Sequence, residues 1–223
     1  MSAKVDFFFN FGSTYSYLTI MRLEEEAHKV GVEILWRPFN VRKLFVEQTN
    51  IPFPKEKAAK VAYMWRDIER RAARFELDWN GVPPYPVDRS GLANRLGVIA
   101  GKEGWAPAFT RSAYRTWFID HKDFGQPDVA HALLSELGHD ANALIERADS
   151  EAGKADFDTE TDVARSLGIF GVPTFAVGTE IFWGHDRMDD AFAWALGQRG
   201  DVEQGGPPDR CGIKPRSAGD FHC

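Results

Sequence analysis

Apolar positions near the start of the chain follow a strand period, then a helix period, then a strand period again. Residues 5–9 form an aromatic-rich apolar run that predicts a buried strand. Residues 15–30 carry apolar side chains at helical spacing and stop at Gly31, where a glycine commonly ends a helix. Residues 32–36 predict the next strand. A strand, a helix and a strand of these lengths predict a right-handed parallel crossover.

The end of the chain predicts two short strands followed by a helix. Thr174–Val177 and Glu180–Trp183 are apolar runs separated by a Gly-Thr pair, which predicts a hairpin. Pro173 comes directly before the first run, and proline, which lacks an N–H, is confined to strand starts and edges. A helix-like run then continues to Gln198. This closing order is typical of a thioredoxin-like fold.

The middle of the chain is helical in period almost throughout. Its apolar-periodic segments are separated by Gly, Pro or polar breaks and cover residues 54–79, 92–102, 107–121, 127–137, 141–152 and 158–167. Four aromatic side chains fall close together in one of these segments: Phe109, Tyr114, Trp117 and Phe118. Such a group is more typical of a helical core than of an aromatic ligand site, and we predict a core.

Composition limits the classes of protein that fit this pattern. The 223 residues carry a formal net charge of −6 and no basic stretch, which argues against a nucleic-acid partner. No apolar run is long enough for a membrane span, and no secretory signal follows Met1. Cys211 and Cys223 lie in the Gly- and Pro-rich segment 200–223, which predicts a disordered tail and no disulfide framework. The six histidines are scattered, so we predict no metal site, and the cytoplasm is the expected compartment.

The candidate chemistry lies in two loops at opposite ends of the chain. Ser13 and Thr14 come just before a predicted helix, whose first N–H groups and dipole favour an anion. That anion could be a thiolate from a bound cosubstrate, because no cysteine lies there. The simpler interpretation of either residue is a helix N-cap. If the Val172–Pro173 peptide bond is cis, the backbone of Val172 faces a groove and can pair with an extended, peptide-like ligand.

The segments VDFFFNFGSTYSYL (5–18), FGVPTF (170–175) and FWGHDRM (182–188) resemble the opening and closing motifs of the 2-hydroxychromene-2-carboxylate isomerases, which belong to the kappa-class glutathione transferase and DsbA-like group. The resemblance covers most of residues 4–198. It implies an α/β, thioredoxin-like fold with a large all-helical insertion. Residues 1–50 and 168–199 would form the discontinuous thioredoxin-like domain and residues 51–167 the insertion. The ligand groove would lie between the two.

The resemblance also implies roles for the residues of a glutathione site. Ser13 matches the serine that holds and activates the glutathione sulfur, and the backbone of Val172 matches the partner of the cysteinyl group. The rest of the tripeptide would be held by the segment Trp183, Gly184, His185 and Asp186. Asp186 is a candidate partner for the glutathione ammonium, although an N-cap of the last helix is its simpler interpretation. His185 by itself is more typical of a solvent-facing loop residue than of a base.

A proline-rich loop supplies candidates for the second substrate. The related family carries Phe-Pro-x-Asn where this chain has Tyr85, Pro86, Val87 and Asp88. Aspartate is an acceptor-only anion, so a carboxylate substrate near it needs a compensating cation. Arg89 and Lys43 are the candidates for that cation. Tyr85, Asp88, Arg89 and Lys43 are therefore the predicted substrate-binding residues.

The resemblance implies a glutathione-dependent isomerase of aromatic catabolism that acts on a chromene or benzylidenepyruvate-type substrate. A homodimer is expected from the family. Two alternatives stay open: a kappa-like glutathione transferase or peroxidase with another electrophile, and a non-catalytic thioredoxin-like binding module. Glutathione affinity separates the module from the enzymes. The fate of the thiol separates an isomerase, which returns it, from a transferase, which leaves it in the product.

Overall fold

Four strands form a mixed sheet in this computed structural model, which describes residues 2–50 and 55–198. The strands are β1 (Ala3–Phe9), β2 (Val32–Pro38), β3 (Thr174–Val177) and β4 (Glu180–Trp183), in the spatial order β2–β1–β3–β4. β1 pairs with β2 in parallel and with β3 antiparallel, so that Phe7 lies opposite both Trp36 and Phe175. β3 and β4 form the predicted antiparallel hairpin. The thioredoxin-like α/β fold predicted from the sequence is confirmed.

The helices account for most of the rest of the described chain. They are α1 (Ser16–Val30), α2 (Val41–Glu47), α3 (Ala58–Arg74), α4 (Leu92–Glu103), α5 (Ala106–Phe118), α6 (Pro127–Glu136), α7 (Ala141–Asp149), α8 (Glu151–Ser166) and α9 (Met188–Ala195). A short 3-10 helix, Lys55–Lys57, leads into α3. Helices α3–α8 lie between β2 and β3 in sequence, as the predicted all-helical insertion requires. The exact domain boundaries stay a prediction, and the predicted tail 200–223 lies outside the described residues.

Alternating side chains of β1 pack on opposite faces of the sheet. Val5, Phe7 and Phe9 belong to one large buried cluster that also contains the core side chains of the insertion helices. Phe8 faces the other way, into a smaller cluster beneath α2 and α8 that includes Leu44. The sheet and the insertion therefore share one hydrophobic core.

Aromatic rings connect the two parts of that core. Phe11, which follows β1, has its ring centroid 5.4 Å from that of Phe109 and 5.6 Å from that of Phe124. Tyr114, Trp117 and Phe118 are fully buried beside them. The four aromatic residues of the insertion thus form its core, as predicted from their spacing.

The boundary between α7 and α8 differs from the predicted one. The sequence predicted helices over 141–152 and 158–167, but the break lies at Ser150. The Ser150 side chain caps α8 by accepting a hydrogen bond from the Gly153 N–H at 3.1 Å. A Cβ at Gly153 would come within 2.4 Å of the Arg147 carbonyl oxygen. Gly153 therefore permits close packing of two consecutive helices and does not end one.

Over residues 2–50 and 55–198, no helix is both long and apolar enough to span a bilayer. The same residues contain no group of three or more His, Cys, Asp or Glu side chains placed to hold a metal ion.

Helix α4 approaches β2 closely at Gly101, and this contact gives a first prediction. A Cβ there would lie 2.8 Å from the Trp36 carbonyl oxygen. Glycine to alanine in a helix interior normally stabilises by about 0.5–1 kcal/mol. Gly101→Ala should instead lower the free energy of unfolding by about 1–3 kcal/mol, because α4 must move away from the sheet. Urea unfolding measures this, with Lys102→Ala on the exposed side of α4 as the control. A stabilised Gly101→Ala variant would contradict the packing described.

Candidate active site

One cleft brings the two predicted halves of the site together. It has a volume of about 610 Å³ and is bounded by the β1–α1 loop, α2, the start of α3, the proline-rich loop and the segments around β3 and β4. Ser13, Val172, Trp183 and Tyr85, all predicted from the sequence, line it. The other lining residues are Asn10, Gly12, Thr14, Tyr15, Val41, Arg42, Phe45, Val46, Asn50, Lys60, Phe170 and Gly171.

Ser13 lies in the turn that joins β1 to α1 and is held there through its main chain. Its N–H donates to the Asn10 carbonyl at 2.8 Å, and its carbonyl accepts from the Tyr114 hydroxyl at 3.1 Å. The N-cap of α1 is Tyr15, and no side chain caps this helix, so the N-cap interpretation of Ser13 and Thr14 is wrong. No hydrogen bond within the described chain involves the half-buried Ser13 hydroxyl. That hydroxyl is therefore available to a ligand in the cleft.

Val172 lies two residues before the first residue of β3, Thr174. The Val172–Pro173 bond is cis, which meets the condition set by the sequence analysis. Pairing with β1 begins at Thr174, the residue after Pro173, which lies opposite Phe8. The Pro173 carbonyl accepts from the Gly184 N–H at 2.9 Å, which ties this turn to the end of β4. Val172 thus borders the cleft at the start of β3, an inner strand of the sheet.

Trp183 and Phe170 form an aromatic wall next to Val172. Their ring centroids are 5.0 Å apart in an edge-to-face arrangement, and about half of Trp183 is exposed. A Cβ at Gly171 would lie 2.5 Å from the Trp183 Nε1 atom, so glycine is required for the indole to lie against this turn.

His185 lies behind the cleft and not in the solvent, so the expectation of a solvent-facing loop residue is wrong. It is 6% exposed and its ring is parallel to that of Tyr15, with centroids 5.7 Å apart. Its Nδ1 atom has no hydrogen-bond partner among the described residues. Burial, and next the positive charge of Arg71, lower the pKa of His185 below its ordinary value. His185 therefore supports Tyr15, which lines the cleft, and is held in its neutral form.

Gly184 and Asp186 lie beside the cleft without forming its lining. The N-cap of α9 is Arg187, so the N-cap interpretation of Asp186 is wrong. The Asp186 carboxylate is about half exposed and 3.6 Å from the Arg187 guanidinium. An exposed ion pair of this length is weak and leaves the carboxylate open to another cation.

The predicted substrate residues Lys43, Asp88 and Arg89 are not in the Ser13 cleft. They line a neighbouring cavity of about 510 Å³. Asp88 is fully buried, and its carboxylate accepts hydrogen bonds from the N–H groups of Ala93 and Asn94 at the start of α4, at 3.0 and 3.2 Å. Burial raises the pKa of the Asp88 carboxyl to about 6, although these hydrogen bonds oppose the shift. The sequence analysis missed this structural role.

A buried chain of amide hydrogen bonds connects Asp88 to the Ser13 turn. The Asn94 side chain donates to Asp88 at 2.5 Å, and its oxygen accepts from the Phe11 N–H and the Asn10 side chain, both at 3.1 Å. The Asn10 side-chain oxygen in turn accepts from the Gly12 N–H at 2.9 Å. The backbone leading to Ser13 is therefore fixed by side chains from the insertion.

Helix α2 supplies cleft residues that the sequence analysis missed. Arg42 lies against the Ser13 turn, because a Cβ at Gly12 would be 2.6 Å from its guanidinium. That guanidinium donates to the carbonyl oxygens of Val87 and Asp88 at 2.7 and 3.1 Å. The available signal was Asn40, whose side chain caps α2 ahead of apolar residues at helical spacing.

Comparisons with known proteins agree with this architecture. The family model of the DSBA-like thioredoxin domain matches residues 4–195. A 2-hydroxychromene-2-carboxylate isomerase of Sphingobium xenophagum is 31% identical over 191 residues, covering 85% of this chain and 96% of that protein. The enzyme of the same name from Pseudomonas putida is 29% identical over 190 residues, covering 82% and 90%. A solved structure of 2-hydroxychromene-2-carboxylate isomerase superposes with a TM-score of 0.78 at 25% identity, covering 87% of this chain and 95% of that one.

The amide chain predicts that Asn94→Ala destabilises the protein strongly. The substitution leaves the Phe11 N–H without its acceptor and removes one donor from the buried Asp88 carboxylate. We expect the free energy of unfolding to fall by roughly 2–4 kcal/mol, measured by urea unfolding. Asn80→Ala, which removes one exposed hydrogen bond to the Ile119 carbonyl, is the control. Equal losses in the two variants would contradict the role of Asn94.

Burial of His185 predicts a specific dependence of stability on pH. In the unfolded chain His185 takes up a proton below its ordinary pKa of 6.5, whereas in the folded protein it does so only at a lower pH. The stability that His185 contributes is therefore fully present above pH 6.5 and is lost as the pH falls through the lower pKa of the folded state. His185→Phe keeps a ring against Tyr15 and should show a smaller loss of unfolding free energy between about pH 7.5 and about pH 5. His131→Phe, at an exposed position on α6, is the control. An unchanged pH slope in His185→Phe would refute this account.

Proposed function

We propose, since this chain belongs to the DSBA-like thioredoxin domain family and to the family of the 2-hydroxychromene-2-carboxylate isomerases, that it is a glutathione-dependent isomerase of a chromene or benzylidenepyruvate-type substrate. The observation that carries the glutathione part is that Ser13 and Val172 line one cleft whose lining, within residues 2–50 and 55–198, includes no cysteine. A cytoplasmic homodimer is part of the same proposal.

The cleft has the properties that a peptide-like thiol requires. Its volume is within the usual range of about 300–1,000 Å³ for small-molecule sites. The backbone of Val172 offers main-chain pairing just before β3, and Trp183 offers an apolar surface beside it. Lys60 and Arg42 place positive charge on the lining, where the carboxylates of the tripeptide need it. Asp186, half exposed beside this wall, is the candidate partner of the ammonium group.

Ser13 would act on the sulfur. Its hydroxyl, which has no partner among the described residues, can donate a hydrogen bond to a thiolate and so favour the charged form. Each unit by which the thiol pKa falls corresponds to about 1.4 kcal/mol of preference for the thiolate. Glutathione, when bound, supplies a thiolate nucleophile able to add reversibly to a conjugated double bond. Tyr85, Phe45 and Phe170 line the same cleft and would hold the aromatic part of the second substrate.

The proposal is tested by glutathione calorimetry followed by an absorbance assay with 2-hydroxychromene-2-carboxylate. Glutathione binding with isomerisation and full recovery of free thiol would support it. Incorporation of the thiol into product would instead indicate a transferase. Absence of glutathione binding would refute the site, and a binding module would then be favoured.

The role of Ser13 gives a prediction of its own. Ser13→Ala should raise the pKa of bound glutathione by about one unit, because one hydrogen bond to the thiolate is lost. Ultraviolet absorbance of the thiolate, recorded against pH for the complex, measures this directly. Ser135→Ala, which removes a hydroxyl from the exposed surface of α6, is the control. An identical thiol pKa in Ser13→Ala and the unaltered protein would remove Ser13 from the proposal.

A further inference from the structure

The Ser13 turn has a second attachment, on the side of α3. Tyr15, two residues after Ser13, lines the cleft and is the N-cap of α1. Its hydroxyl donates to the Asp67 carboxylate at 3.1 Å. The hydroxyl of Thr14 donates to the Met64 sulfur at 3.1 Å, and Met64 lies about one helical turn before Asp67. Both residues that follow Ser13 are therefore bonded to one helix through their side chains.

The Tyr15–Asp67 hydrogen bond is the stronger of these two contacts. A thioether sulfur is a weak acceptor, whereas an ionised carboxylate is a strong one. The Asp67 side chain is only 13% exposed, so water competes little for it. Arg70 and Arg71 each donate to the same carboxylate at 3.3 Å and hold it in place from within α3. Asp67 is thus a fixed and largely buried acceptor for the Tyr15 hydroxyl.

The direction of this hydrogen bond is fixed near neutral pH. Burial alone would raise the pKa of the Asp67 carboxyl, but hydrogen bonds from Tyr15, Arg70 and Arg71 lower it below its ordinary value. Burial, and next the hydrogen bond to Asp67, raise the pKa of the Tyr15 phenol. The phenol therefore keeps its proton and directs it at Asp67. Such a group is better suited to support a neighbour than to act as a general base.

The ring of Tyr15 is held as well as its hydroxyl. His185 lies parallel to it, with 5.7 Å between the ring centroids. Phe75, the C-cap of α3, meets His185 edge-to-face with centroids 6.2 Å apart. The hydroxyl of Tyr15 directly, and its ring through His185, are therefore both placed by α3.

This attachment is separate from the amide chain that passes through Asn94. The amide chain and the Tyr114 hydroxyl hold the main chain at and before Ser13, from the side of α4 and α5. The Tyr15–Asp67 hydrogen bond holds a side chain after Ser13, from the side of α3. A residue between two such attachments has little freedom to shift its hydroxyl relative to the cleft.

We propose that Asp67 is a positioning residue for Ser13: by holding the Tyr15 hydroxyl it fixes the start of α1, and with it the Ser13 hydroxyl, relative to a thiolate bound in the cleft. Asp67 itself lies outside the cleft lining that the described residues form. The proposal rests on the proposed function for the presence of a thiol ligand. The negative charge of Asp67 opposes a nearby thiolate, whereas its hydrogen bond to Tyr15 favours one through Ser13. The charge and the hydrogen bond therefore act on the thiol in opposite directions.

The test compares Asp67→Ala with Asp67→Asn. Both variants remove the charge, but only alanine removes the acceptor of the Tyr15 hydroxyl. We expect the pKa of bound glutathione, read from thiolate absorbance, to be about 0.5–1 unit higher in Asp67→Ala than in Asp67→Asn. When each is combined with Tyr15→Phe, this difference should vanish, because the hydrogen bond is already absent. The same pair of substitutions at Asp162, which is exposed on α8 and also pairs with an arginine three positions later, is the control.

Equal thiol pKa values in Asp67→Ala and Asp67→Asn would overturn the proposal, and so would a difference that persists beside Tyr15→Phe. Amide hydrogen exchange supplies a readout that needs no ligand. Exchange in the first turns of α1 should be roughly threefold faster in Asp67→Ala than in Asp67→Asn, with exchange in α6 unchanged. Equal exchange in α1 would overturn the proposal as well. Failure of glutathione to bind the unaltered protein would refute the proposed function, and the exchange comparison would then decide the positioning role by itself.

Discussion

The buried carboxylate of Asp88 is the interaction on which the site depends. A buried anion is costly unless its charge is met by donors. The first N–H groups of α4 and the Asn94 side chain supply them, and the positive end of the helix dipole lies at the same place. The surrounding packing accommodates nothing larger, since a Cβ at Gly125 would come within 2.4 Å of the Asp88 Cα atom. The hydrogen bonds of Asp88 therefore attach the proline-rich loop to the start of α4.

The contact at Asp88 lets the insertion position the turn that carries Ser13, the candidate functional turn. The Asn94 side-chain oxygen accepts hydrogen bonds from the Asn10 side chain and the Phe11 N–H. The Tyr114 hydroxyl donates to the carbonyls of Asn10 and Ser13. The turn is therefore held by main-chain hydrogen bonds while the Ser13 hydroxyl keeps its donor for a ligand. Groups that act on substrates are most effective when packed partners fix them in advance, and here those partners come from a different part of the chain.

Local patterns predicted most of the fold, and long-range contacts explain what they missed. The sequence predicted β1, α1 and the β3–β4 hairpin, because each depends on hydrophobic periodicity and on glycine or proline residues within a few positions. The meeting of Ser13 and Val172 followed from the motifs that resemble the family. The connection from Asp88 to the Ser13 turn could not be predicted, because it passes through the hydrogen bond between Asn94 and Asn10, which are 84 positions apart. Burial of His185 likewise depends on Tyr15, far away in the sequence.

The same network also determines how charge is distributed around the cleft. Because main-chain N–H groups and an amide satisfy Asp88, its carboxylate does not pair with Arg42. Arg42 is instead oriented by the carbonyls of Val87 and Asp88, which fix its position without removing its positive charge. Arg42 thus lies between the Ser13 turn and the neighbouring cavity lined by Asp88. Because backbone N–H groups and the Asn94 amide bind the buried Asp88 carboxylate, Arg42 influences it only through its charge and keeps its guanidinium at the cleft wall.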